Sequence, residues 1–147
     1  MSVINKSIVI KAPVSKVFGF VTNPENWTRY VTSLVEVNNL SPDAPKKGST
    51  FKWAYRMMGV KFRGKGTVTD NVKNKRFALS LEGKHPVSET YEFSDKGDGS
   101  TELKVKVEYE IPSKVFSAIA DKLVVQRLNA IEARNVLEKI KLFCEGT

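Results

Sequence analysis

The sequence predicts an α+β fold: a seven-stranded antiparallel sheet with two short helices near the N-terminus and one long C-terminal helix. Three observations carry this reading. From Val31 to Ile111 large apolar residues recur with period two, separated by turn residues at the intervals of an antiparallel meander. Ahead of that stretch, residues 13–30 place apolar side chains at helical spacing. Behind it, about residues 113–144 form the longest segment of helical period, with Phe116, Ile119, Ala120, Leu123, Val124 and Ile131 on one side.

The elements follow in order. Ile4, Ile8, Ile10 and Ala12 share one phase of a first strand that Ala12-Pro13 ends. Val14, Val17, Phe18 and Val21 then mark a short helix opened by Pro13, and Asn23-Pro24-Glu25 starts a second with Trp27 and Tyr30 as its large members. Six strands come next. The first, near 33–40, carries Val35 and Val37. Along the second, Phe51, Trp53, Tyr55 and Met57 alternate with Lys52, Ala54 and Arg56, so four large side chains share a face. Past the Met58-Gly59 turn, Val60, Phe62, Gly64, Gly66 and Val68 oppose Lys61, Arg63, Lys65, Thr67 and Thr69. Two inward glycines point to strong coiling or to close approach of another element. Phe77, Leu79 and Leu81 form the next strand, Val87, Glu89, Tyr91 and Phe93 another, and Leu103, Val105, Val107 and Tyr109 the last.

Length and composition bound the function. A chain of 147 residues, 41% hydrophobic and 27% charged, reads as one soluble globular domain over 1–147. Such a chain buries about two thirds of its unfolded surface, so it needs no covalent or metal staple. One cysteine, Cys144, and one histidine, His85, exclude a disulfide framework and a zinc finger, and the carboxylates show no metal-ligand spacing. Neither metal nor cofactor is expected. There is no apolar run near the roughly 18 residues of a membrane span, and no secretion signal, which predicts a cytoplasmic protein. The formal charge of +8 comes from 18 Lys and 6 Arg against 16 acids. Lys outnumbers Arg three to one, and Trp53 and Tyr55 point away from the basic phase of their strand. Both features argue against nucleic acid as a partner.

The order of elements, with Ile8-x-Ile10-x-Ala12-Pro13, Val17-Phe18-x-x-Val21, Pro24-x-x-Trp27, Gly97-Asp98-Gly99-Ser100-Thr101 and Tyr109-x-Ile111-Pro112, resembles the helix-grip fold of the START-like, Bet v 1-like superfamily, which includes the SRPBCC and polyketide cyclase/dehydrase-like proteins. The resemblance spans the whole chain. It implies a cavity between the sheet and the C-terminal helix, but no universal catalytic motif, because the scaffold carries many functions. Strand parity places the turns at Met58-Gly59 and Gly83–Pro86 and the Ile111-Pro112-Ser113 junction at one end, the expected mouth.

The inward phase supplies the candidate ligand-binding residues: Trp27, Tyr30, Trp53, Tyr55, Met57, Phe62, Phe77, Glu89, Tyr91, Tyr109, Phe116, Ile119, Leu123 and Arg127. Apolar walls with a few phenols and an indole suit a small hydrophobic molecule of lipid, polyketide or aromatic type; the alternative is that the same side chains only fill the core. Glu89 and His85 are the acid/base candidates for a cyclase- or dehydratase-type reaction, since a desolvated carboxyl can transfer protons near neutrality. Arg127 could instead hold Glu89 in a buried ion pair. A third reading uses the outside of the sheet, where Lys52, Arg56, Lys61, Arg63 and Lys65 form a basic face for an anionic partner.

Overall fold

The computed structural model describes residues 2–57, 59–83, 86–110 and 122–146. Seven strands, β1 (Ser2–Ile10), β2 (Leu34–Asn38), β3 (Thr50–Met57), β4 (Val60–Val72), β5 (Arg76–Glu82), β6 (Val87–Asp95) and β7 (Thr101–Tyr109), form one antiparallel sheet in the order β1-β7-β6-β5-β4-β3-β2. The first two strands are thus the two opposite edges. The chain between them must cross the whole sheet, about 29 Å at ordinary strand spacing. Helices α1 (Val14–Thr22) and α2 (Pro24–Tyr30) make that crossing.

The second of these helices completes the first. Asn26 Nδ2 donates to the Phe20 carbonyl at 3.0 Å, while Trp27 Nε1 and Tyr30 Oη both donate to the Val21 carbonyl, at 3.0 and 2.8 Å. These carbonyls belong to the last turn of α1, where no intrahelical donor remains. Trp27 and Tyr30 therefore bury their polar atoms satisfied and leave their rings to the core.

The C-terminal helix, α3 (Lys122–Glu145), runs alongside β1 in the same direction. Gln126 meets Ser2, Lys141 reaches the Val9 carbonyl, and Glu145 accepts from the Lys11 amide. Fifteen helical residues and seven extended ones each span about 23 Å, which is why the contacts keep step. Ala133, Val136, Leu137, Ile140 and Cys144 form the buried stripe of α3. Ile131, expected on the inward side, is 42% exposed; the buried stripe turns past it, so it belongs to the outer face. The start of the helix expected near 113, with Phe116, Ile119 and Ala120, lies outside the described residues, as do the side chains of Leu123 and Val124.

Alternation along the strands holds with two local departures. A register shift between Leu34 and Glu36 buries Leu34 and turns Val35 outward, and another between Val68 and Asp70 interrupts β4 against β5. Gly64 and Gly66 are explained by close approach. Gly64 lies opposite Trp53 and Gly66 opposite Phe51, and each ring lies over its glycine. A Cβ on Gly66 would meet the Phe51 ring at 2.3 Å; one on Gly64 would meet the Glu82 carbonyl oxygen at 2.2 Å and the Trp53 indole at 2.6 Å.

These contacts predict different rescues. Gly64→Ala and Gly66→Ala should each destabilise by about 1–3 kcal/mol through overpacking. Adding Phe51→Leu should recover much of the Gly66→Ala loss, because the obstacle is a side chain. Adding Trp53→Leu should recover little of the Gly64→Ala loss, because a backbone oxygen blocks that site. Urea denaturation of the four variants, as single and double substitutions, measures both.

Candidate functional site

Between the inner face of the sheet and α3 lies a hollow of about 60 Å³. Its walls are mainly apolar: Ile4 and Val107 from the β1–β7 pair, Val87 from β6, Val31 after α2, and Ala133 and Val136 from α3. Five residues bring polar atoms, namely Tyr55, Glu89, Tyr109, Asn129 and Glu132. A second, smaller hollow of about 10 Å³ adjoins it, lined by Trp27, Tyr30, Phe51 and Tyr91 among others. Val31, Tyr55 and Glu89 border both.

Register explains why a carboxylate is here. Glu89 shares its phase on β6 with Tyr91 and Phe93, both buried, and β6 pairs with β5 and β7 without a bulge. Turning Glu89 outward would turn the two rings outward with it, at a cost of about 1.5–3 kcal/mol each. Among the described residues its one hydrogen bond comes from the Tyr91 hydroxyl, 3.2 Å from Oε1. Burial is the largest influence on its acidity and raises its pKa from 4.5 to about 7; the Tyr91 hydrogen bond opposes the rise and the charge of Glu132 adds to it.

Glu132 is held very differently. The backbone amide of Ser33 donates to its Oε1 at 3.2 Å and the Ser33 hydroxyl to the same oxygen, while the Tyr55 hydroxyl donates to Oε2 at 2.9 Å. Three donors thus tie this carboxylate of α3 to the segment before β2 and to β3. The phenols of Tyr30, Tyr55 and Tyr91 all have pKa values raised well above 10, first by burial and then by the neighbouring carboxylates, so they stay neutral donors. Among the described residues Asn129 Nδ2, buried at the hollow, has no hydrogen-bond partner. Among the described residues no three His, Cys, Asp or Glu side chains converge to hold a metal ion.

The structure separates the candidate residues. Tyr55, Glu89 and Tyr109 wall the main hollow, and Trp27, Tyr30 and Tyr91 the second. Phe77, fully buried, packs against Trp27 with ring centroids 6.0 Å apart, and Phe62 packs half-buried against the core; neither lines either of these two hollows. Trp53 is buried over Gly64, its Nε1 donating to the Lys65 carbonyl at 2.7 Å. Arg127 departs from expectation: it is exposed on α3 and forms no ion pair with Glu89. Its position falls outside the buried stripe, so its guanidinium stays in water. Met58, His85, Phe116 and Ile119, and the side chains of Met57 and Leu123, lie outside the described residues. Cys144 is buried and its thiol is pushed up to about 11, mainly by that burial, so it is an inert packing residue.

Sequence reasoning missed Asn129 and Glu132. The signal was present: Glu132, Val136 and Ile140 recur every four residues, and Asn129, Ala133 and Leu137 likewise, so both polar residues continue the buried stripe one turn toward the N-terminus.

The raised pKa of Glu89 makes stability depend on pH. Between pH 4.5 and about 7 the folded chain keeps a proton on Glu89 that the unfolded chain has released. Stability from this group therefore falls as pH rises across that window and levels off above it. The full change is about 3 kcal/mol, and it should be absent in Glu89→Gln. Denaturant unfolding of both proteins across the window should show the variant gaining on the wild type as pH rises. Parallel stability curves would mean that Glu89 titrates normally.

The comparisons agree with this architecture. The family described as "Polyketide cyclase / dehydrase and lipid transport" matches residues 1–143. Among curated proteins none matches the sequence. A crystal structure of a Thermus thermophilus protein is similar with a TM-score of 0.75 and 20% identity, covering 95% of this chain and 94% of that one. A START superfamily protein from Mycobacterium smegmatis aligns at TM-score 0.62 and 16% identity, over 90% and 95% of the two chains. The di-domain ARO/CYC StfQ of the steffimycin biosynthetic pathway aligns at TM-score 0.72 and 10% identity; 98% of this chain is covered, but only 51% of StfQ. With the family match over nearly its whole length and a sheet gripping a long C-terminal helix, the chain belongs to the polyketide cyclase/dehydrase and lipid transport family, on the START-like, Bet v 1-like helix-grip fold.

Proposed function

We propose that the protein binds a small hydrophobic molecule of lipid, polyketide or aromatic type in the hollow beneath α3, with the ligand's polar group at the Glu89, Tyr55 and Asn129 end. The observation that carries this reading is the composition of the hollow: apolar walls from three strands, the segment after α2 and a helix around a few convergent polar atoms, one of them an amide without a partner among the described residues. Such a pattern is the ordinary build of a small-molecule site. Its volume of about 60 Å³ is well below the roughly 300 Å³ at which ligand pockets begin, so binding requires the walls to move apart. The START and ARO/CYC resemblances support the same reading at the level of fold.

A thermal-shift screen of fatty acids, sterols, flavonoids and quinones, with Trp fluorescence on the hits, tests it. Trp27 walls the second hollow and reports occupation next door. Ala133→Leu should fill the main hollow and weaken binding at least tenfold, while leaving the unfolding midpoint near that of the wild type. Equal binding by the filled variant would move the site elsewhere.

A second reading, proton transfer on the bound molecule, is favoured by Glu89, whose pKa near 7 suits a group that both takes and gives a proton at neutrality. Under it, Glu89→Gln abolishes turnover and leaves affinity within a few-fold. A carrier shows no turnover in either protein.

A further inference from the structure

We propose that the outer face of the β3–β4 hairpin docks on an anionic phospholipid bilayer. Residues 50–67 hold five cations, Lys52, Arg56, Lys61, Arg63 and Lys65, and no acid, so this one hairpin carries +5 of the chain's formal +8. All five side chains are exposed, because they occupy the phase opposite Phe51, Trp53 and Tyr55.

The pairing register brings like charges together. Lys52 lies directly opposite Lys65, and Arg56 directly opposite Lys61. Cross-strand neighbours sit about 5 Å apart at Cβ, so these pairs repel and cost stability. Arg63 alone is neutralised, by Glu36 of β2 at 2.9 Å; among the described residues the other four form no ion pair. Glu82 lies beside Lys65 on β5, but its carboxylate accepts from Thr67 instead. Elsewhere the outer face is arranged oppositely: on β7, Lys104 and Lys106 sit 3.7 and 3.2 Å from Glu102 and Glu108. A general need for solubility would not gather unpaired cations on one hairpin while β7 neutralises its own.

The surroundings of the patch favour a bilayer over other polyanions. Its aromatic side chains face inward, which removes the stacking platforms of single-stranded nucleic acid. Among the described residues the hairpin also presents no exposed aromatic or large aliphatic anchor of the kind that dominates protein interfaces. Ala54, the one small apolar residue in the row, is fully buried between Glu36 and Arg63 on the flanking strands, whose ion pair spans it. What remains is a plain array of closely spaced cations. Mobile anionic headgroups can gather beneath such an array. The opposite face of the same hairpin presents Tyr55 to the hollow, so docking would bring one wall of the cavity to the membrane. The proposal does not depend on what that cavity binds.

The test is co-sedimentation with vesicles of phosphatidylcholine plus phosphatidylserine, against phosphatidylcholine alone, at about 0.15 M ionic strength and at high salt. The wild type should bind only the anionic vesicles and release them in high salt. Lys61→Gln/Lys65→Gln should weaken binding about 25-fold, at roughly fivefold per cation lost. Lys104→Gln/Lys106→Gln removes the same net charge from β7 and should change binding less than threefold. Unfolding midpoints confirm that all are folded. Equal weakening by both double variants would reduce the effect to net charge and overturn the proposal. So would failure of the wild type to bind anionic vesicles, or displacement from them by an equal phosphate concentration of duplex DNA.

Discussion

The constraint on which the rest of the molecule depends is that one face of a seven-stranded antiparallel sheet has to be covered by the helices, above all α3. Because successive side chains of a strand point to opposite faces, covering that face dictates what every second residue must be away from the two register shifts. The core confirms it: Phe51 and Trp53, Phe77, Leu79 and Leu81, Tyr91 and Phe93, Leu103 and Val105 are all buried from the same side. No strand can slip by one residue without exposing its whole set. Glu89 is carried inside by this cooperativity. Its own burial is unfavourable, but the two rings that share its phase hold it there, and the local low dielectric then raises its pKa.

The two carboxylates at the hollow show how environment divides identical groups. Glu132 accepts from the Ser33 amide, the Ser33 hydroxyl and the Tyr55 hydroxyl, and so links the C-terminal helix to the segment that leads into the edge strand β2. Among the described residues Glu89 has one donor, the Tyr91 hydroxyl, and mainly apolar walls around it. One is a structural tie; the other is a buried carboxyl whose pKa is raised to about 7. The tie also couples the covering helix to the cavity wall, since Tyr55 belongs to both.

The β3–β4 hairpin has two unlike faces with separate explanations. Inside, Gly64 and Gly66 give up side chains so that the Trp53 and Phe51 rings can approach the neighbouring strand closely. Outside, the same register juxtaposes Lys52 with Lys65 and Arg56 with Lys61. The inner arrangement stabilises the sheet by aromatic burial, and that stability is what allows the outer face to carry repulsive pairs.

By itself the sequence determined the element order, the inward phase of the strands apart from β2 and the identity of Glu89 as an inward acid, because alternation and helical period are local properties of the chain. It also carried the basic outer phase of the hairpin. It did not reveal Glu132 and Asn129 as cavity residues, although their spacing from Val136 and Leu137 held the information, since attention to apolar residues alone passes over polar ones on a buried stripe. Arg127 and Ile131 went the other way. Only the packing angle of α3 decides which residues at the edge of its stripe face water. The partners of each polar group, the bulge that turns Val35 outward, and the small volume left between sheet and helix are likewise set by long-range contacts, because each depends on residues far apart in the chain meeting at distances that no local periodicity encodes.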